Sequence, residues 1–259
     1  SDLFEKPGKY QHAFSTDIDR AGDVRILCSL KPTAEWMDTL LHESGHGVYS
    51  KFNDRELPWL LRDAAHTFTT EAMANLFGRM ASNPSWLQEM VGITPAERTK
   101  IATAVAASQR LEQLTFSRWS QVMFRFEKAM YENPDQDLDT LWWDLVERFQ
   151  MVNRPAGRGA PDWAAKLHVA LAPVYYQNYL LGEMVASQLQ DMILGTVLDG
   201  GADRWERFVS DPAVGAFLRA KYYAPGRRWN WRELVTRATG RPLETRPFVD
   251  DLAGRTASA

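Results

Sequence analysis

The chain has 259 residues, 45% apolar and 24% charged, an ordinary balance for a globular protein with room for a real hydrophobic core. Its 30 lysines and arginines against 33 acids leave a net charge of −3, so no basic excess is available to hold a nucleic-acid backbone. No stretch approaches the ~18 uninterrupted apolar residues of a membrane span, and no charged-then-apolar signal segment opens the chain.

Cys28 is the single cysteine and cannot form an internal disulfide, which favours a cytoplasmic setting. The chain begins at Ser1 rather than Met, so a removed upstream piece, a signal peptide included, stays open.

In chain order, the first expected unit is a β-hairpin over 12–30. The runs His12–Asp19 and Val24–Leu30 are joined by Arg20-Ala21-Gly22-Asp23, and Val24, Ile26, Cys28 and Leu30 fall on one face at strand period. Almost everything after it reads as helix. Pro32-Thr33 opens a helix to about Phe52 with Met37, Leu40, Leu41 and Val48 as its apolar stripe. A second helix is predicted over 69–82. Thr94-Pro95-Ala96-Glu97 is a capping box with Pro at the first helical position and opens a long helix to about Glu132, ended by Asn133-Pro134. Further helices are expected at 138–152, 173–197, 203–209, 212–221 and 231–239, the last closed by Gly240. The Pro-, Gly- and Arg-rich stretch 153–162 reads as a loop. The expected fold is mainly α, a helical catalytic domain with one small antiparallel hairpin.

The chemistry concentrates in His42-Glu43-Ser44-Gly45-His46, inside the first helix. Histidines four residues apart stand one turn apart on one face, so both imidazoles can reach one Zn²⁺. Glu43 is rotated off that line and can reach a metal-bound water without ligating the metal, where a carboxylate can take the acidified water's proton. This is the zincin pattern. A third protein ligand is needed, with the fourth position open. Glu71, at the start of the next helix, and His66, in the connection before it, are the two candidates; regular structure favours Glu71. Zinc is inferred from ligand type, and Co²⁺ or Mn²⁺ suits the same donors. No cysteine accompanies either motif, which argues against a closed structural site.

With these residues in view, the sequence resembles the angiotensin-converting-enzyme family of zinc peptidases and its bacterial relatives, and more loosely the thimet-type oligopeptidases. The matching segments run in order: His12-Ala13, the zinc helix, Leu57-Pro58 and Leu61-Arg62, Glu71, then Lys166-Leu167-His168, Pro173 and Tyr176-Gln177-Asn178-Tyr179. The resemblance implies that His12 and Ala13 line a strand that pairs with the substrate backbone. It implies that Lys166 and Tyr176 hold a terminal carboxylate, and that His168 and Tyr179 donate hydrogen bonds near the scissile carbonyl, Tyr179 to the oxyanion.

Three departures qualify this. Asn178 stands where the animal enzymes carry a chloride-binding arginine, so chloride activation is not expected. Asn75 stands where an acidic residue supports a ligating histidine, and an amide supports positive charge less well. Of the two cysteines that secreted relatives join across the hairpin, one position is kept as Cys28 and the other is Gln11. The resemblance covers the catalytic part, with zinc helices over 33–82 and a substrate-binding part over 94–250. The family's N-terminal helical half has no counterpart here, which leaves three readings open: a fragment, one chain of a two-chain protein, or a naturally short member. In the first two, that half or a second chain is the expected partner that completes the groove.

The expected activity is hydrolysis of short peptides, with one Zn²⁺ per chain and release of C-terminal dipeptides. Two alternatives stay open: an oligopeptidase that cuts internally, and a zinc- and peptide-binding relative that is inactive without the missing half.

Overall fold

The computed structural model describes residues 1–255. The chain divides into two compact units, one formed by 1–110 together with the described residues from Gly182 onward, the other by 111–181.

In the first unit, strands β1 (Phe14–Asp17) and β2 (Val24–Leu27) pair antiparallel, Phe14 opposite Leu27 and Asp17 opposite Val24. The intervening turn needs left-handed backbone at Arg20 (φ 55°) and Gly22 (φ 99°); Asp17 and Asp19 carboxylates accept from the N–H groups of Gly22 (3.1 Å) and Ala21 (2.7 Å). Both strands are shorter than the sequence pattern predicts. Beyond Leu27 the backbone turns its hydrogen bonds to the N-terminal segment, Cys28 N–H donating to Asp2 O and Leu30 N–H to Leu3 O, both at 2.9 Å. The buried Lys9 ammonium fastens that segment, donating to Phe4 O (2.8 Å), Asp2 O (3.0 Å) and Cys28 O. His12 and Ala13 therefore precede the paired residues rather than lie within the ladder.

Helix α1 (Ala34–Lys51) starts where predicted, with the Thr33 side chain accepting from Trp36 N–H at 3.3 Å. Its buried face is not the expected stripe. The buried residues are Glu43, Gly45, Gly47 and Tyr49, while Leu41 and Val48 line an apolar cavity of about 620 Å³ with Phe52, Leu76, Phe208 and Leu218.

The reason is close helix packing. Helix α2 (Thr67–Gly78) lies so near α1 that a Cβ on Gly45 would stand 2.5 Å from Met73 O and 2.8 Å from Ala74 Cα. On another side, a Cβ on Gly47 would meet Val24 Cγ1 of the hairpin at 3.0 Å. Helix α2 begins two residues earlier than predicted because His66 caps it: its imidazole accepts from Phe68 N–H at 3.4 Å, and Thr69 Oγ1 accepts from His66 N–H at 3.2 Å. It continues as a 3₁₀ turn over Arg79–Ser82. The short α3 (Pro84–Trp86), capped by Asn83, runs on as a π-turn to Val91 and ends at Gly92 (φ 84°).

The Thr94 capping box is present in full. Thr94 N–H donates to Glu97 Oε2 (2.8 Å) and Glu97 N–H to Thr94 Oγ1 (3.2 Å), opening α4 (Pro95–Glu132). In the second unit the later part of α4, α5 (Leu138–Gln150), the 3₁₀ turn Asp162–Ala165 and the short α6 (Leu167–Leu171) surround a core of Val122, Met123, Phe126, Trp142 and Val146. Helix α7 (Gln177–Met192) begins four residues later than predicted, because Val174 adopts φ 56° and cannot join a right-handed helix.

Returning to the first unit, α7 passes into a π-turn (Ile193–Val197), then come α8 (Arg204–Ser210), α9 (Pro212–Leu218) with a π-turn to Tyr223, α10 (Trp231–Thr239) ended by Gly240 at φ 76°, and α11 (Arg246–Leu252), which the sequence pattern did not reveal. Tyr49, Phe68, Met73, Leu189, Ile193, Tyr222 and Leu234 are fully buried there.

Candidate metal centre

Helix α1 carries His42 and His46 with ring centroids 5.0 Å apart and the rings edge to face. The close approach that Gly45 permits brings Glu71 of α2 opposite them. Glu71 Oε2 lies 3.6 Å from His42 Nε2 and 3.7 Å from His46 Nε2. Those separations are too long for hydrogen bonds and within a few tenths of an ångström of the roughly 3.3 Å that separates two donors on one tetrahedral zinc. One ligand atom from each residue falls within 4.8 Å of the other two.

The electrostatics suit a cation. Burial depresses both imidazoles, His42 to about 4 and His46, with His42 beside it, to about 3. Both are therefore neutral near pH 7, the form that ligates metal. Two neutral imidazoles and one carboxylate, with no fourth ligand joining them among the described residues, fit a catalytic rather than a structural zinc site.

Glu71 is not at the helix N-terminus, as expected, but one turn in, and almost wholly buried. A Cβ on Gly182 of α7 would meet Glu71 Cβ at 2.8 Å and Glu71 C at 3.1 Å, so that glycine is what lets α7 pack against α2 at Glu71. His66 does not join the set; it is spent on capping α2. Thr70, which sequence reasoning missed, places its Oγ1 2.7 Å from His46 Nδ1. Asn75 sits one turn beyond Glu71, half-buried.

Glu43 is buried beside the ligands, and burial pushes its carboxyl up to about 7, opposed by the N–H of Ser15 on β1. A carboxyl balanced near neutrality is suited to take and return a proton.

The second unit holds its own polar cluster. His168 Nε2 and Tyr179 Oη are 3.0 Å apart, and the His168 ring meets Tyr176 edge-on with centroids 5.0 Å apart. Tyr176 Oη accepts from Trp119 Nε1–H at 2.6 Å, and burial pushes its phenol up to about 12, so it stays protonated and able to donate. Lys166 Nζ rests over the rings of Trp119 (5.3 Å) and Trp142 (5.8 Å), on the wall of a cleft of about 500 Å³ that Trp143 also lines. His12 is exposed near Tyr10, and Ala13 is half-buried just ahead of β1.

A mainly helical domain with two histidines one turn apart, a glutamate from the next helix and a buried carboxyl between them defines a zincin-like metallopeptidase fold. Residues 2–245 match the family described as angiotensin-converting enzyme, and the chain belongs to that family of zinc metallopeptidases.

Carboxypeptidase 1 of Bacillus subtilis (strain 168) is 24% identical over 268 residues, an alignment covering 94% of this chain and 52% of that protein. The angiotensin-converting enzyme of Sus scrofa is 23% identical over 259 residues, covering 96% of this chain and 19% of that protein. Among solved structures, the M32 carboxypeptidase from Deinococcus radiodurans R1 superposes with a TM-score of 0.75 at 20% identity, covering 94% of this chain and 53% of that one. The fold is thus shared with carboxypeptidases, and this chain spans 52% of the bacterial relative's length.

Proposed function

We propose that this chain carries the catalytic centre of a zinc-dependent peptidase that trims short peptides from the C-terminal end, with one Zn²⁺ per chain. The observation that carries the reading is the convergence of His42, His46 and Glu71 with Glu43 buried beside them. Bound by those three residues, zinc would polarise the scissile carbonyl and acidify water.

Glu43 takes the proton that water loses as its oxygen bonds to the carbonyl carbon. It then delivers that proton to the leaving nitrogen as the C–N bond breaks. Tyr179 and His168, joined by their own hydrogen bond, are assigned to the oxyanion. Thr70 already serves His46, so the supporting role expected of Asn75 falls to His42. Lys166 and Tyr176 are assigned to the substrate's terminal carboxylate, and His12 and Ala13 to its backbone. A polypeptide equivalent to the rest of the relatives' length is the proposed partner that completes the groove.

Dipeptide release is the finer reading. A second, single-residue release, is favoured by the carboxypeptidase names of the bacterial relative and the solved structure. Mass analysis of products from one short peptide separates the two, and the same peptide capped as its C-terminal amide tests the common claim. The amide is expected to be cut at least tenfold more slowly, and Lys166→Ala is expected to erase that preference. In the same assay Tyr179→Phe is expected to lower kcat about a hundredfold. Equal cleavage of acid and amide would instead support internal cutting, and Lys166→Ala with the preference intact would remove Lys166 from the carboxylate site.

A further inference from the structure

We infer that Thr70 is the positioning residue for His46: its hydroxyl receives the imidazole Nδ1–H and thereby turns the Nε2 lone pair toward the metal position. This rests on the zinc reading above and adds a residue to it.

The geometry makes the roles unequal. His46 Nε2 is the nitrogen facing Glu71 Oε2 (3.7 Å), while Nδ1 faces Thr70 Oγ1 (2.7 Å). A neutral imidazole carries its proton on only one of the two nitrogens. If Nδ1 carries it, the hydroxyl accepts and Nε2 is free to ligate; if Nε2 carried it, that nitrogen could not bind metal. The hydroxyl can accept from Nδ1–H or donate to a bare Nδ1, so the contact fixes the ring plane in either tautomer. The tautomer in which Nδ1–H donates to Thr70 is the one that leaves Nε2 free for metal.

The position of Thr70 in the chain gives the arrangement further meaning. It is adjacent to Glu71 on α2, so one short stretch supplies both the third ligand and the hold on the second. Any shift of α2 against α1 moves the two together, and Gly45 sets that spacing. The partner is also neutral. The site keeps a single carboxylate among its ligands, and the hydroxyl orients His46 without adding a second negative charge beside the metal.

The test uses the full chain with Thr70→Val, which keeps the shape and removes the hydroxyl, and Thr70→Ser, which restores it. Zinc affinity is read by competition with a chromophoric chelator, and the His46 ring contact by its imidazole resonances in ¹⁵N–¹H correlation with and without zinc. Thr70→Val is expected to weaken zinc binding about 10- to 100-fold and to shift the His46 imidazole resonances; Thr70→Ser is expected to recover both. A Thr70→Val chain with unchanged zinc affinity and unchanged imidazole resonances overturns the inference, as does one that only melts earlier. If the wild-type chain takes up no zinc but Thr70→Val still shifts the imidazole resonances, the metal reading fails and the Thr70–His46 hydrogen bond stands.

Discussion

Glu43→Gln is expected to leave zinc binding intact while lowering kcat/KM between about 10²- and 10⁴-fold, the range general-base removal spans. The substitution is nearly isosteric, and Glu43 is buried at 7% exposure, so a larger or smaller side chain would confound the result. Glutamine's carbonyl can still accept from the Ser15 N–H that opposes burial at this site. What the amide cannot do is take a proton from water and return it to an amine. The three ligands are untouched, so zinc content separates a lost base from a lost site. Peptide cleavage within twofold of wild type at equal zinc content would remove Glu43 from the proposed chemistry.

Gly45→Val is expected to strike both fold and site. The new Cβ would stand 2.5 Å from Met73 O, 2.8 Å from Ala74 Cα and 2.8 Å from Met73 C. All three are backbone atoms, so no side chain can swing aside, and α1 and α2 must separate. Overpacking of this kind costs about 1–3 kcal/mol, and each kcal/mol lowers Tm by roughly 2–4 °C in a chain of this size.

The more specific consequence concerns metal. Glu71 is two residues from Met73 on the displaced helix, so the 3.6 and 3.7 Å spacings to the histidines open with it. Calorimetric melting and zinc competition on Gly45→Val and Gly45→Ala check this: both should lose stability and zinc affinity, valine more. Unchanged melting and affinity would mean the helices accommodate a side chain there.

Much of the site was legible in the sequence because its signals are local. The four-residue histidine spacing, the Thr33 cap, the Thr94–Glu97 box and Gly240 each act within one helical turn, and the structure places each as expected. The apolar stripe of α1 misled because amphipathicity assumes a helix packs through its large side chains. Here the packing is through glycines, so Glu43 and Gly45 are buried while Leu41 and Val48 face a cavity.

Gly182 and Thr70 were invisible for the same kind of reason. Each acts on a residue brought near by tertiary packing, Gly182 on Glu71 across more than a hundred positions and Thr70 on His46 across 24. The helix expected from 173 starts at Gln177, because the left-handed backbone at Val174 keeps Tyr176 ahead of the helix, and a single positive φ leaves no mark in the residue pattern. His66 shows the converse: its residue type suits a metal, but a capping position explains it fully.

The measurement that bears most directly on the central claim is the zinc content of the purified chain after loading and exhaustive dialysis, for wild type and Glu71→Ala side by side. One zinc per wild-type chain, lost in Glu71→Ala while the helical circular-dichroism signal persists, is the predicted result. A folded wild-type chain that retains no zinc, or a Glu71→Ala chain that retains as much as wild type, would contradict the assignment of His42, His46 and Glu71 as the metal centre.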